Sequence, residues 1–77
     1  MPSRLLQLVA DVLELPVAEI GPGTGPATTG QWVSLRHLQI VAKVEEAYDV
    51  SITAREIRRI RSVGDLHDLL RARGVGE

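Results

Sequence analysis

The sequence predicts an all-α fold, a small four-helix bundle whose third helix is short and whose first two helices are joined by a long loop. Three observations predict it. Apolar residues recur at three- and four-residue steps in separate segments. Helix-start signals stand ahead of the later segments. Between the first two segments, Gly21-Pro22-Gly23-Thr24-Gly25-Pro26 can sustain neither a helix nor a central strand. No amphipathic helix of this kind buries its stripe alone, so the four stripes must pack on one another. At 77 residues the chain reads as a single domain, 1–77, near the lower limit for a self-sufficient core.

The first helix is expected from Ser3, as cap, to about Leu15. Leu5, Leu6, Leu8, Val9, Val12 and Leu13 form its apolar face, with Gln7, Asp11 and Glu14 largely opposite. Pro16 marks its end. Residues 16–31 are the long connection, with Val17, Ala18 and Ile20 as candidate anchors in the core. So long a loop in so small a chain is either functional or a plain crossover.

The second helix is expected from about Val33 to Tyr48. Leu35, Leu38, Val41, Ala42, Glu45 and Tyr48 mark one face, widened by Ile40 and Val44. Arg36, Gln39, Lys43 and Glu46 fall toward solvent. An extended link follows, in which Val50 and Ile52 alternate into the core. Thr53-Ala54-Arg55-Glu56 is a capping box opening a third helix to about Ile60, with Ile57 and Ile60 inward. Ser62-Val63-Gly64-Asp65 is a related start for the last helix, to about Ala72. Its buried stripe is Leu66, Leu69 and Leu70, and Gly74 suits a C-terminal cap. The tail from Val75 is expected to fray.

Composition excludes several classes. No cysteine is present, so no disulfide or thiolate-metal site exists. Two histidines without cysteines make a poor metal set. The net charge of −1 supplies little general attraction to nucleic acid or to a membrane surface. No apolar run approaches the roughly 20 residues that span a bilayer. Residues 1–4 do not open a secretory signal, so a cytoplasmic monomer is the expectation.

The most specific chemical handle is Ser34. Its hydroxyl is expected at the start of the best amphipathic helix, at the positive end of the dipole, where a phosphate-linked group is favoured. Taken alone, a serine there reads first as an N-cap.

The residues on both sides raise it further. Ser34-Leu35 is followed by Val44-Glu45-Glu46-Ala47-Tyr48-Asp49-Val50, then Ser51-Ile52, then Ser62-Val63-Gly64-Asp65-Leu66. In order and spacing, from about Leu5 to Leu70, the chain resembles the acyl carrier protein family. Trp32 and His37 resemble a Trp-Asp-Ser-Leu-x-His subgroup of free-standing carriers of specialised metabolism. The resemblance implies that Ser34 accepts 4′-phosphopantetheine from coenzyme A through a separate phosphopantetheinyl transferase. The arm would then bear an acyl or aminoacyl thioester, supplied by a loading enzyme and passed to downstream biosynthetic enzymes. The chain itself would be a non-catalytic carrier, for instance in polyketide assembly.

The family pattern has Asp before the serine, where this chain has Val33, which supplies no carboxylate to the helix start or to the Mg²⁺ of coenzyme A. Three readings stay open: a tolerant transferase, slow modification, or a degenerate carrier that binds partners unmodified. The lead-in Thr28-Thr29-Gly30 likewise lacks the family's acidic residue.

The resemblance also implies a partner surface around the second helix, here Trp32, Val33, Leu35, Arg36, His37 and Lys43. Fatty-acid-synthesis carriers make that helix strongly acidic, whereas here its exposed charges are mixed, which suggests dedicated partners. Arg55, Arg58, Arg59 and Arg61 read as a solvated face, as a docking patch for an acidic partner, or as a nucleic-acid contact; Arg55 and Arg58 join the candidate partner residues. His37, one turn after Ser34, reads as a boundary residue or as a neighbour of the arm. Trp32 reads as an apolar lid over the loop.

Overall fold

The computed structural model describes residues 1–75. It contains four helices, α1 (Ser3–Leu13), α2 (Ser34–Tyr48), α3 (Ala54–Arg59) and α4 (Val63–Ala72), with a 3₁₀ turn at Val17–Glu19 and no strand among the described residues. One apolar cluster unites Leu5, Val9 and Leu13 of α1, Ile40, Val41 and Val44 of α2, Ile52 and Ile60 around α3, and Val63, Leu66 and Leu70 of α4.

α1 buries residues at i, i+4 and i+8, which share one face at 3.6 residues per turn. Ser3 is the first helical residue and makes no cap; Pro2 precedes the helix, and its carbonyl accepts the Leu6 N–H at 3.2 Å. The helix ends two residues before the expected Leu15, because Glu14 turns left-handed (φ 58°) and Leu15 N–H bonds back to Ala10 O at 3.1 Å. The same closure ends α2, with Asp49 left-handed (φ 53°) and Val50 N–H on Glu45 O at 3.2 Å. It also ends α4, where Gly74 (φ 75°) supplies the expected cap and Val75 N–H reaches Leu70 O at 3.1 Å. In each case the next residue, Leu15, Val50 or Val75, folds back against the core.

α1 and α2 run antiparallel, and an arginine ties each end. At one end Arg4 donates to Ala47 O at 2.6 Å and lies over the Tyr48 ring, 4.7 Å from its centroid. At the other, Arg36 donates to Val12 O and stands 3.8 Å from Glu14. Arg36 was expected toward solvent; it is half-buried because its long side chain reaches back over the carbonyl end of α1.

The buried stripe of α2 is rotated from the one expected. Ile40, Val41 and Val44 face the core, while Leu35 is 64 % exposed, Leu38 55 %, and Ala42 is also exposed. With Ile40, Val41 and Val44 turned inward, the 3.6-residue turn carries Leu35 and Leu38 to the far side of the helix, and Trp32, at 2 % exposure, joins the core ahead of the first turn. Of the expected loop anchors only Ile20 is buried; Val17 and Ala18 lie in the exposed 3₁₀ turn.

The connection is stapled to the start of α4. Pro22 O accepts Gly64 N–H and Thr24 O accepts Val63 N–H, both at 2.9 Å. Ser62 Oγ accepts Asp65 N–H at 3.1 Å, so the first three amides of α4 all have partners. Gly25 permits this approach: a Cβ there would sit 2.0 Å from Arg61 O and 2.9 Å from its carbonyl carbon. Within the loop, Thr24 Oγ1 accepts from Gly21 N–H and Thr28 Oγ1 from Gly25 N–H, which fixes its turns.

The capping box of α3 forms as expected: Thr53 Oγ1 accepts Glu56 N–H at 3.2 Å and Glu56 accepts Thr53 N–H at 3.0 Å. Glu56 also binds the Arg73 guanidinium at 2.6 and 2.8 Å, joining α3 to the end of α4. The Asp65 carboxylate reaches back to Arg61 N–H at 2.9 Å. α3 stops at Arg59, one residue short of the expected Ile60, which is buried at the cap.

Gly25→Ala forces a backbone shift and should cost about 2–3 kcal/mol, lowering the melting midpoint by roughly 10 °C or more. Gly23→Ala, whose Cβ meets nothing within 4 Å, should melt close to the parent. Circular-dichroism melts compare the two. A second expected outcome concerns pH. The Thr53 amide, then the Arg73 guanidinium, holds the Glu56 carboxyl below the usual carboxylate value. A lowered folded-state value stabilises the fold above the unfolded-state pKa, and that contribution disappears as pH falls through the folded-state value. Glu56→Gln should therefore be destabilised near neutrality, with the gap to the parent closing in acid. Urea titrations across pH 2–7 measure it; a gap that persists unchanged at the acid end would contradict the assignment.

Candidate functional site

The first turn of α2 lies on the rim of a groove. Val33 is the N-cap in extended conformation (φ −89°, ψ 172°) and makes no side-chain cap, and Ser34 is the first helical residue. His37 N–H is the first to bond back, to Val33 O at 2.9 Å. The amides of Ser34, Leu35 and Arg36 therefore point out of the helix start without a capping side chain. The Ser34 hydroxyl is exposed and engages no partner among the described residues. The N-cap reading of Ser34 is thus excluded by position: a serine at the first helical residue lies one place too late to cap.

Behind Ser34 a bridge fixes the loop to α2 and α3. Trp32 Nε1 donates to His37 Nδ1 at 2.8 Å, and His37 Nε2 is 2.8 Å from Ile57 O. With Nδ1 accepting, the neutral ring carries its proton on Nε2, which donates to the carbonyl. The two rings are tilted by 40° with centroids 5.9 Å apart. A five-residue spacing across a helix start does not announce a Trp–His bond, and nothing in the sequence points at Ile57 O.

Between α2 and α3 runs a groove of about 650 Å³, lined on one side by Trp32, Ser34 and Leu38 and on the other by Ile57, Arg58 and Arg61. Ser34 itself lines it, so a group attached there can fold into apolar surroundings. Three large apolar side chains surround the serine on the outer face: Val33 at 55 % exposure, Leu35 and Leu38. Contiguous exposed apolar surface of this kind marks a contact site.

The candidate residues divide three ways. Val33, Ser34, Leu35, His37 and Arg58 converge on the first turn of α2 and its groove. Trp32 is almost wholly buried and forms part of the groove wall from within the core. Arg36 points to the end of α1, Lys43 lies more than two turns further along α2 beside Val12, and Arg55 is exposed at the start of α3 outside the groove. Arg61 and Ile57 line the groove, although neither was singled out individually as a site residue. Glu45, placed by its spacing on the mainly apolar face of α2, is half-buried and accepts Ile52 N–H at 2.9 Å, holding the link to α3. No group of three or more His, Cys, Asp or Glu among the described residues can hold a metal ion, and no helix there is long and apolar enough to cross a membrane.

The bridge yields a direct test. His37→Ala strips the partners from the Trp32 N–H and from Ile57 O, and an unsatisfied buried group costs about 1–3 kcal/mol. A loss of about 2 kcal/mol or more in urea unfolding is expected, with red-shifted Trp32 emission as the ring loosens. Unchanged emission and stability would show that the bridge contributes nothing.

No family model matches the chain. Over 73 residues it is 25 % identical to an acyl carrier protein of Syntrophus aciditrophicus (strain SB), the match taking in 95 % of this chain and 91 % of that one.

Proposed function

The chain is related to the acyl carrier protein family, and on that premise we propose that Ser34 is the attachment point of a 4′-phosphopantetheine arm. The observation that carries the reading is the Ser34 hydroxyl: exposed, at the first residue of α2, and unused by the fold. Most residues in this region do structural work. This one does none, and it faces solvent at the end of the helix where a transferase can reach it.

The surroundings suit the group chemically. A phosphodiester on Ser34 meets the free amides of the first turn and the positive end of the helix dipole, worth about 0.3–1 kcal/mol. No Asp or Glu occurs between Glu19 and Glu45, so no carboxylate of residues 20–33 or of the first turns of α2 repels it. When bound, the arm supplies a thiol for thioester formation, which the cysteine-free chain lacks. The residues of this chain hold and present it. Trp32, His37 and Ile57 keep the first turn fixed. The Val33, Leu35 and Leu38 surface offers an apolar seat to partner enzymes, which would be the transferase, a loading enzyme and downstream biosynthetic enzymes. The chain would act as a monomeric cytoplasmic carrier, without catalysis of its own. The mixed charge of α2, with Lys43 beside Glu46, favours dedicated partners of a specialised pathway such as polyketide assembly over a general acyl-synthesis machinery.

Val33 favours a second reading. It offers no carboxylate where the family has one, and its exposed side chain extends the apolar seat. On this reading the fold is an unmodified interaction module.

Incubation with coenzyme A, Mg²⁺ and a broad-specificity phosphopantetheinyl transferase, followed by intact-mass measurement, decides between them. Addition of one phosphopantetheine group, absent in Ser34→Ala, is the expected outcome. Val33→Asp should raise the initial rate. Failure of the parent to gain mass with several transferases, alongside modification of Val33→Asp, would favour the interaction module.

A further inference from the structure

Two arginines, Arg58 and Arg61, line the Ser34 groove. Arg4, Arg36 and Arg73 are each engaged, with Ala47 O, with Val12 O and Glu14, and with Glu56. Arg59 lies beside Glu56, Asp65 and Asp68 in the shallow cleft between α3 and α4. Arg58 and Arg61 instead face the groove opposite α2, and no Asp or Glu lines it. Among the described residues neither guanidinium makes a salt bridge or a hydrogen bond, and both are exposed. Arg61 meets Asp65 through its backbone N–H, not through its side chain.

Two further facts concentrate this positive charge. The loop and the first part of α2 carry no acidic residue from Ile20 to Val44. The groove walls are Trp32, Leu38, Ile57 and Ile60, a low-dielectric lining that strengthens a charge contact at its edge. A guanidinium presents a planar fork of donors matched to a carboxylate or phosphate. Two such forks beside an apolar groove make an amphiphilic receptor: apolar floor, anion-seeking rim.

We propose that Arg58 and Arg61 bind an anionic group carried on Ser34, at the rim of this apolar groove. The proposal rests on Ser34 being the attachment point. The anion has two sources, the phosphodiester of the arm at Ser34 or a carboxylate on the acyl group. Either takes the same bidentate contacts, and the apolar floor accommodates the methylenes between thioester and carboxylate.

The test loads the protein enzymatically with three donors: coenzyme A, butyryl-coenzyme A and succinyl-coenzyme A, the last two matched in chain length. Arginine side-chain Nε–H signals and melting midpoints are then compared at low salt with those of the apo protein. Shifts of Arg58 and Arg61 that appear only in the succinyl form, with its midpoint roughly 4 °C above the butyryl form, identify the cargo carboxylate. Shifts already complete with coenzyme A identify the phosphodiester as the bound anion and support the proposal. Arg58→Gln with Arg61→Gln should abolish the effect, and Arg55→Gln, outside the groove, should leave it intact. All three sides are exposed, so these variants fold. Loaded protein whose Arg58 and Arg61 signals match apo in every form overturns the proposal. Failure to load at all is a different result and overturns the assignment of Ser34 instead.

Discussion

Everything around Ser34 depends on how closely the α1–α2 connection can approach the start of α4. Two loop carbonyls, Pro22 O and Thr24 O, supply the hydrogen-bond acceptors that the first amides of α4 need. A helix start buried against a loop must find such partners, since unpaired buried amides are costly. The contact is possible because residue 25 has no side chain to strike the Arg61 carbonyl. One glycine thus fixes the path of a long irregular segment. It turns a stretch that composition marks as mobile into a strap across the bundle.

The strap aims the chain beyond it. Once residues 22–25 are fixed, the remainder of the loop delivers Trp32 into the core and Val33 to the mouth of α2. Leu35 and Leu38, on the side of α2 away from Ile40, Val41 and Val44, stay outside beside Ser34. The Trp32 ring orders His37, whose second nitrogen reaches Ile57 O and sets α3 against α2. Functional surface on this chain is made by excluding two leucines from the core, not by adding unusual residues.

Charge obeys the same division. Several charged side chains close the fold: arginines on helix-end carbonyls, Glu56 and Asp65 on helix-start amides, Glu45 on the α2–α3 link. Near Ser34 such work is done by backbone and aromatic groups, which leaves the region without carboxylates and leaves Arg58 and Arg61 uncommitted. In the low-dielectric surroundings of a groove even a partly exposed cation is a significant contribution to recognition.

The sequence alone determined the local features of this protein. Helix number and order, the capping box at Thr53, the Ser62 start, the Gly74 cap and the position of Ser34 at the head of α2 all arise from interactions within a few residues. Such interactions are written in neighbouring letters. Tertiary structure decided which face of α2 is buried, that Val17 and Ala18 stay outside while Ile20 goes in, that Arg36 and Glu45 serve the fold, and that Ser34 lies on a groove with Arg58 and Arg61. A helical stripe wide enough to admit Leu35, Leu38 or Ile40 is ambiguous by period. It is resolved only by the group that packs against it. Here the apolar residues of α1 and α4 take Ile40, Val41 and Val44, and Trp32 reaches the same core through a loop that passes close to the distant carbonyl of Arg61 at Gly25.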